Sequence, residues 1–556
     1  MPPPVVKLSP ECSVQGIRTF NREFSKGVES FTGIRYGEAE RFERPKLAEL
    51  WEGTRIANQR SKCCPQEFEF LENQYAPIQI VDDESNSDEN CLELNIWRPS
   101  KIKESEKLPV VVWSCCNHYR HGSANVFNGD IFCCVNRVIL VTFSFRLGLF
   151  GLAASEDGVL EGNYILLDQI TALRWVQKYI SNFGGDPNNV TFYGASSASS
   201  MVSCLLTSKL CRGLFHKVIC ESASALATSS RATPRKFASE MHFFILRKEG
   251  YKGSRNGNEI KQFLKSKSTD YLKVLLYSFL SVTTVIDGYV LEEDPVDVYD
   301  KGLFLKLPML CGCVADEGYT FSQFALHNSN VKSDSHFVDL IRRAIRLYCY
   351  LFLSKEMGEK ITKLVADKYR PEIQTHENFF KAIMEIYGNI YILSNVLKLA
   401  RYHSEHNTTY LCELHHRPDY FEGPEFVSMV HSKDLAFKFG VPFSKKYGDL
   451  KWSDDDKEIS LRLMKKHGEF IETGEISDWQ KFTTKTKHTE IISLKSKTKL
   501  ASVFKDDNYE FFNETIPNIV KEDKPIENFC LEEGMKTYMV ASYVTFLGFD
   551  TSNNNY

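Results

Sequence analysis

Two continuous apolar runs in the first third of the chain predict buried strands. The first covers residues 108–113 (LPVVVW) and the second covers residues 137–143 (RVILVTF). An apolar run of strand length, without alternating polar positions, is typical of a strand that is buried on both faces. The core of a sheet is therefore expected in this part of the chain.

Residues 163–200 predict a helix, a strand, a sharp turn and a second helix, in that order. In residues 163–183, apolar side chains recur at helical spacing, at Leu166, Ile170, Leu173, Val176 and Ile180. The pair Gly184-Gly185 ends this helix. Residues 189–193 (NVTFY) predict a strand, which a small-residue turn joins to a helix from Ser200. This alternation of strands and helices predicts the α/β class with a parallel sheet.

The composition is that of a folded globular protein. Of the 556 residues, 43% are hydrophobic and 25% are charged, so the chain can bury a large core. The 68 Lys and Arg against 72 Asp and Glu leave a net charge of -4, which argues against nucleic acid or an anionic membrane as the main partner. No repeat or long linker divides the chain, and no apolar run suits a signal peptide or a membrane helix. One large domain in the cytosol is the starting expectation.

The sixteen cysteines argue against metal or redox motifs. Six of them form three adjacent pairs and no C-x-x-C occurs, which disfavours zinc and thioredoxin-like sites. Most are therefore expected to be buried, reduced thiols that behave as small apolar residues. No motif for a cofactor or a metal is recognised.

The small-residue turn that follows the third predicted strand is a candidate site for chemistry. Residues 194–198 (GASSA) lie between a strand and a helix, which is the context of a G-x-S-x-G nucleophile elbow, although the last position is Ala198. The motif alone favours a serine-rich helix start in which Ser196 is a cap. Ser197 is a poorer nucleophile candidate because its register lacks the glycine.

Eight stretches of the chain resemble one known family. They are residues 31–36, 51–53, 90–95, 142–151, 162–164, 167–169, 172–177 and 182–187. With them, the sequence resembles the type-B carboxylesterases, a family of carboxylesterases, cholinesterases and non-catalytic adhesion relatives. The resemblance implies the α/β-hydrolase fold, a large and mostly parallel twisted sheet flanked by helices. It also implies that Ser196 is the acyl-accepting nucleophile.

The same resemblance implies the two partners of the nucleophile. Glu317 in residues 314–318 (VADEG) matches the acidic position, and His431 in residues 430–432 (VHS) matches the histidine position. The order Ser196, Glu317, His431 is that of α/β-hydrolases. Because a serine hydroxyl is a weak nucleophile, His431 is expected to take its proton while Glu317 orients the imidazole and stabilises its charged form.

The segment that should stabilise the oxyanion departs from the family. Where the family carries His-Gly-Gly-Gly, this chain has residues 115–118 (CCNH), here called the oxyanion loop. A glycine loop that needs positive φ tolerates cysteine poorly and asparagine better. The resemblance implies backbone donors at Cys116, Asn117 and Ser197. Ala195 also stands where the family usually has a glutamate, which removes a carboxylate from the site.

Cys64 and Cys91 match a pair that the family joins, so the resemblance implies a disulfide between them. In cholinesterases the enclosed loop supplies a tryptophan that binds quaternary ammonium, but residues 65–90 contain no tryptophan. Choline esters are therefore disfavoured, and a more general small acyl ester is expected.

Three functions remain open. The first is a serine carboxylic-ester hydrolase that acts weakly on small acyl esters through an acyl-enzyme. The second is a catalytically impaired pseudoesterase that binds a protein partner, and the third is a small-molecule acyltransferase. The complete Ser196, Glu317 and His431 set favours the first, whereas the altered oxyanion loop and Ala198 favour the second.

The resemblance implies a single domain over residues 23–549, preceded by a lead-in at 1–22 and followed by a polar tail at 550–556. A cytoplasmic location is preferred, partly because the family's late disulfide is missing at residues 509–512. Secretion is the alternative, with a signal peptide missing from this sequence.

Overall fold

A large mixed sheet organises the computed structural model of the protein. The structure describes residues 2–521 except for 76–77, 79–81, 228, 276–282, 327–330, 332, 350–353, 449 and 495–500. The predicted polar tail at 550–556 therefore lies outside the described residues.

Most of the strands are short. In chain order they are Val5–Lys7 (β1), Cys12–Gln15 (β2), Ile17–Asn21 (β3), Lys26–Arg35 (β4), Gly37–Glu38 (β5), Lys46–Leu47 (β6), Gly53–Ile56 (β7), Glu93–Pro99 (β8), Leu108–Ser114 (β9), Ile139–Phe143 (β10), Gly185–Ala195 (β11), Lys217–Glu221 (β12), Thr233–Pro234 (β13), Val285–Ile286 (β14), Met309–Val314 (β15), Thr409–Leu414 (β16) and Glu490–Ile492 (β17).

The α-helices surround the sheet. They are Phe68–Tyr75 (α1), Asp130–Val135 (α2), Gly148–Leu152 (α3), Tyr164–Tyr179 (α4), Ser197–Leu205 (α5), Arg235–Lys248 (α6), Gly257–Lys265 (α7), Thr269–Leu275 (α8), Pro295–Asp300 (α9), Glu317–Leu326 (α10), Asp334–Cys349 (α11), Lys355–Tyr369 (α12), His376–Gly388 (α13), Ser394–Ser404 (α14), Asp434–Lys438 (α15), Asp454–Thr473 (α16), Asp506–Glu510 (α17) and Ile516–Val520 (α18).

Ten of the described strands form one sheet in the order β17-β16-β15-β12-β11-β9-β10-β8-β4-β3. The strands from β17 to β10 run parallel, and β8, β4 and β3 continue the sheet as antiparallel neighbours. Helices pack on the sheet, and the apolar runs of β9 and β10 lie at its buried centre. The predicted α/β class with a large, mostly parallel sheet is confirmed.

The strand and the helix that meet at the small-residue turn are longer than predicted, whereas the helix before them matches its predicted range. The predicted helix over 163–183 is α4 followed by a 3-10 turn, Ile180–Phe183, which ends where Gly184 has a φ of 82°. Strand β11 begins at Gly185 because that residue pairs with Leu108, before a register shift leads to Val190. Both strand and helix reach the turn itself, since β11 ends at Ala195 and α5 begins at Ser197.

The N-terminal lead-in predicted at residues 1–22 contributes to the fold. It contains β1, β2 and β3, and β3 pairs with β4 as the edge strand of the large sheet. Strand β3 is therefore part of the large sheet, whereas β1 and β2 form a separate sheet with β7. In the described part of the chain, no helix combines the length and the apolar character that crossing a membrane requires.

A buried ion pair joins α4 to the segment after β10, and its loss should destabilise the fold. Asp168 accepts hydrogen bonds from the guanidinium of Arg146, at 2.7 and 2.8 Å, and both side chains are almost fully buried. We expect Asp168→Asn to lower the free energy of unfolding by about 3–5 kcal/mol, because it leaves a buried cation unpaired. Urea-induced unfolding followed by circular dichroism measures this loss.

The matched control is Glu161→Gln, which removes the partner of Arg44 in a half-exposed ion pair. This change should cost about 0–1 kcal/mol. An equal loss in the two variants would contradict the role assigned to the buried pair.

Candidate active site

The turn that carries Ser196 has the geometry of a nucleophile elbow. Ser196 has φ 56° and ψ −135°, an uncommon conformation for a residue with a side chain. Its N–H donates to the carbonyl oxygen of Glu221 at 2.9 Å. A Cβ at Gly194 would lie 2.6 Å from the backbone of Ala198, so this close approach requires glycine at 194. The elbow therefore holds the Ser196 side chain at the carboxyl end of the parallel sheet.

His431 lies between Ser196 and Glu317. Its Nε2 is 3.0 Å from the Ser196 Oγ, and its Nδ1 is 2.6 Å from Oε2 of Glu317. Because a carboxylate only accepts, Nδ1 carries the proton and Nε2 is the nitrogen that can accept from the serine hydroxyl. All three side chains are buried. The structure thus brings together the three residues that the sequence placed 114 and 235 positions apart.

Glu317 is fixed by donors on its other oxygen. The hydroxyl of Ser222 and the N–H of Val314 donate to Oε1 at 2.6 and 3.0 Å. The neighbouring Asp316 is not part of this chain of contacts, because its carboxylate accepts from the N–H and the hydroxyl of Ser428. Each carboxylate therefore has a separate task, and Glu317 alone faces His431. Ser222, which follows Glu221 at the end of β12, gave no signal in the sequence.

The expected oxyanion donors Ser197 and Asn117 differ in whether their backbone N–H groups already have a partner. Ser197 is the first residue of α5, where N–H groups have no partner within the helix. Its hydroxyl donates to the carbonyl oxygen of Cys116 at 2.9 Å. The N–H of Asn117, however, donates to the carbonyl oxygen of His121 at 2.7 Å, and its Nδ2 donates to the hydroxyl of Tyr75 at 3.1 Å. The backbone N–H of Asn117, predicted as an oxyanion donor, is therefore directed away from the elbow.

His118 occupies the position where the resembled family has its last loop glycine. Its φ is 51° and that of Tyr119 is 62°, so the loop keeps a left-handed turn although neither residue is glycine. Burial, together with Arg120 and His431, lowers the pKa of His118 to about 3. The imidazole is therefore neutral near the candidate nucleophile. His118 was expected within the altered oxyanion loop, but neither its backbone nor its side chain was among the predicted donors.

The loop closed by the Cys64–Cys91 disulfide holds the oxyanion loop from outside. The predicted disulfide is confirmed, with a Cα–Cα distance of 5.0 Å. Within this disulfide loop, Gln66 exchanges two hydrogen bonds with the backbone of Gly122, at 2.8 and 2.9 Å. A Cβ at Gly122 would lie 2.1 Å from the carbonyl oxygen of Cys115, so the backbones meet there. Together with the Tyr75 contact, these bonds fix the altered loop in place.

Aromatic rings line the other side of His431. The ring of Phe321, on α10, lies 5.4 Å from the His431 ring, and the Tyr391 ring lies 4.8 Å from Phe321. Tyr391 belongs to a π-helical turn, Asn389–Leu393, that precedes α14. Such rings offer an apolar wall to the part of a ligand that is not being cleaved.

A mostly parallel sheet with a serine elbow, and with a histidine and a carboxylate in hydrogen-bond series behind it, defines the class of α/β-hydrolases. Within that class, the model of the carboxylesterase family matches residues 2–512. The chain belongs to the carboxylesterase family, as its resemblance to type-B carboxylesterases predicted.

Curated relatives have different names. The chain is 29% identical over 497 residues to carboxylesterase 5A of Canis lupus familiaris, which covers 86% of this chain and 83% of the relative. It is 26% identical over 511 residues to a cocaine esterase of Oryctolagus cuniculus, in an alignment that covers 89% of this chain and 93% of the relative. It is also 26% identical over 579 residues to neuroligin-2 of Mus musculus, covering 91% and 67%. Family membership therefore supports an ester hydrolase and does not name a substrate.

The two loop cysteines should be chemically inert in the native protein. Burial raises the pKa of Cys116 to about 12 and also raises that of Cys115. Since the thiolate is the reactive form, the neutral thiol that burial favours reacts poorly at pH 8. We expect iodoacetamide at pH 8 to leave both residues unmodified in the folded protein and to modify both after unfolding in guanidinium, as measured by peptide mass spectrometry. Rapid modification of Cys116 in the folded protein would contradict this assignment.

Proposed function

We propose that the protein is a serine carboxylic-ester hydrolase that forms an acyl-enzyme on Ser196 and acts slowly on small acyl esters. The single observation that carries this proposal is the unbroken series of contacts from Ser196 through His431 to Glu317. This arrangement activates a hydroxyl that is a poor nucleophile in water.

The proposed reaction has two steps. His431 Nε2 takes the Ser196 proton while Oγ bonds to the ester carbonyl carbon, and the resulting imidazolium is stabilised by Glu317. The imidazolium then gives its proton to the leaving alcohol, so that the acyl group stays on Ser196. Water, with its proton removed by His431, attacks the acyl carbon, and Ser196 leaves with the proton returned to it.

The proposed rate is low because oxyanion stabilisation is incomplete. The N–H of Ser197 supports one donor, but the N–H of Asn117 is committed to the His121 carbonyl. Removing one oxyanion donor from a serine hydrolase typically costs 10²–10³ in turnover, roughly 3–4 kcal/mol. The proposal therefore joins an activated nucleophile to a weakened site for the developing negative charge.

The second candidate is a binding protein that keeps the esterase fold. The orientation of the backbone N–H of Asn117 favours it. The similarity to neuroligin-2, a relative whose name is not that of an esterase, supports it as well. The partner would then be a protein and not an ester. The two candidates differ in one measurable property, the reactivity of Ser196.

The proposed substrates are esters with small acyl groups. Phe321 and Tyr391 provide aromatic surface beside His431, and Ala195 puts no carboxylate next to the nucleophile. A cationic choline group therefore gains no carboxylate contact from position 195. For location, the Cys64–Cys91 disulfide supports the secreted alternative over the cytoplasmic one, because disulfides persist in oxidising compartments.

Covalent labelling of Ser196 tests the proposed function directly. A fluorophosphonate probe should modify the folded protein at Ser196, because His431 activates the hydroxyl, and intact-protein and peptide mass spectrometry measure the adduct. Ser196→Ala should remove the adduct, whereas the matched control Ser200→Ala, in α5, should keep it. A folded wild-type protein that forms no Ser196 adduct would favour the binding protein.

Restoring the oxyanion loop should raise the rate. We expect replacement of Cys115-Cys116-Asn117-His118 by His-Gly-Gly-Gly to increase hydrolysis of p-nitrophenyl acetate by about 10²–10³-fold, because it supplies missing donors. Ser196→Ala should abolish the gain. Ala198→Gly alone should help less, since it relieves crowding without adding a donor. Wild-type turnover at about 10 s⁻¹ or faster, which is ordinary for enzymes, would show that the native loop already presents its donors.

A further inference from the structure

A cluster of buried charged groups lies directly behind the elbow. Its centre is the carboxylate of Glu221, the last residue of β12. The ammonium of Lys438 lies 2.7 Å from Oε1 of Glu221, and the hydroxyl of Tyr193 donates to Oε2 at 2.6 Å. His467 Nε2 is 3.0 Å from Oε1, and Lys438 also pairs with Asp434. These side chains are almost completely excluded from solvent.

The cluster combines two acidic side chains with a lysine and a histidine. Lys438 lies against both acids, Glu221 and Asp434. The two ring nitrogens of His467 face the carbonyl oxygen of Leu463, at 2.9 Å, and the Glu221 carboxylate. Lys438 is therefore the basic side chain that the two carboxylates share.

The ionised state of Glu221 depends on these basic neighbours. Burial opposes ionisation, but Lys438 and His467 lower the pKa of Glu221 to about 2. Burial likewise opposes the charge of Lys438, and Asp434 and Glu221 raise its pKa nevertheless. Removing one member of such a buried set leaves an uncompensated charge behind.

The cluster connects the two reacting side chains through the backbone. The carbonyl oxygen of Glu221 accepts the N–H of Ser196, and Glu221 is the register partner of Ala195. Lys438 ends α15, the helix that begins three residues after His431. The ion pair between Lys438 and Glu221 therefore joins α15, which follows His431, directly to β12, which holds the backbone of Ser196.

We propose that Lys438 is a positioning residue for the Ser196–His431 pair: by clamping α15 onto Glu221, it holds the histidine against the elbow and offsets the carboxylate charge beneath the pair. The inference rests on the proposed function, because it assigns a task to Lys438 in the same reaction. Lys438 touches neither the substrate nor the reacting atoms in this scheme.

Two variants separate the clamp from the charge. Lys438→Met removes both and leaves the Glu221 carboxylate uncompensated. The double variant Glu221→Gln/Lys438→Met removes the clamp but keeps the net charge of the cluster, because one acid and one base are removed together. Lys446→Met, which breaks an exposed pair with Asp130, is the matched control. Circular dichroism verifies that each variant is folded, and the double variant keeps the test open if the single variant does not fold.

The first readout is the rate of Ser196 modification by the fluorophosphonate at pH 7. The second is the midpoint of the His431 Nε2 titration in ¹⁵N-histidine NMR, assigned with His431→Gln. For Lys438→Met we expect modification at least tenfold slower and a midpoint about one pH unit higher, because an unpaired anion nearby favours the imidazolium. For the double variant we expect modification at least threefold slower at an unchanged midpoint. The control should match the wild type in both readouts.

A purely structural role would lower thermal stability and leave both readouts unchanged. A folded double variant that is modified at the wild-type rate, or a folded Lys438→Met variant with the wild-type rate and midpoint, overturns the proposal. Failure of the proposed function is a separate result, in which the wild type itself forms no adduct. The His431 midpoints of the single and double variants still test the effect of the charge in that case.

Discussion

The strained backbone of Ser196 is the constraint on which the rest of the site depends. A residue with φ 56° and ψ −135° persists only where its surroundings determine its conformation, at a cost of about 1–3 kcal/mol. Here β11 enters the turn, α5 leaves it, and the Glu221 carbonyl holds the N–H between them. Because Glu221 and Ser222 are consecutive, the same strand end fixes both the serine backbone and Glu317. Distances within the site follow from the register of β11 and β12.

Much of this architecture could be predicted from local sequence. The apolar runs that became β9 and β10 are buried on both faces, so nothing in their pattern competes with a strand. The helical spacing of α4 is equally clear, and the family motifs pointed to Ser196, Glu317 and His431, which lie in contact although more than a hundred residues separate each from the next. The start of β11 could not be predicted, because Gly185 belongs to a strand only through its pairing with Leu108.

The direction of individual N–H groups was beyond the sequence, because it depends on distant partners. Asn117 suited a left-handed turn on its residue type, yet the observed positive φ values fall on His118 and Tyr119. The side chain of Asn117 donates to Tyr75, 42 residues earlier, and its backbone N–H donates to the carbonyl of His121, four residues later. Lys438 and Glu221 gave no signal either, since a single charged residue in an apolar stretch usually indicates an exposed position.

The disulfide loop has a consequence for how the protein acquires its site during folding. Gln66 reaches Gly122, beside the oxyanion loop, and Tyr75 reaches Asn117 within it, across separations of 56 and 42 residues, while His431 reaches Ser196 across 235. Contacts this distant in sequence pay a large loop-closure entropy, so they form late and slowly. Closing the Cys64–Cys91 crosslink early shortens the search for one wall of the site but not for the histidine. A chain that has formed this disulfide but has not completed its sheet would therefore have one wall of the site without His431 beside Ser196. It would remain inactive until the last strands had docked.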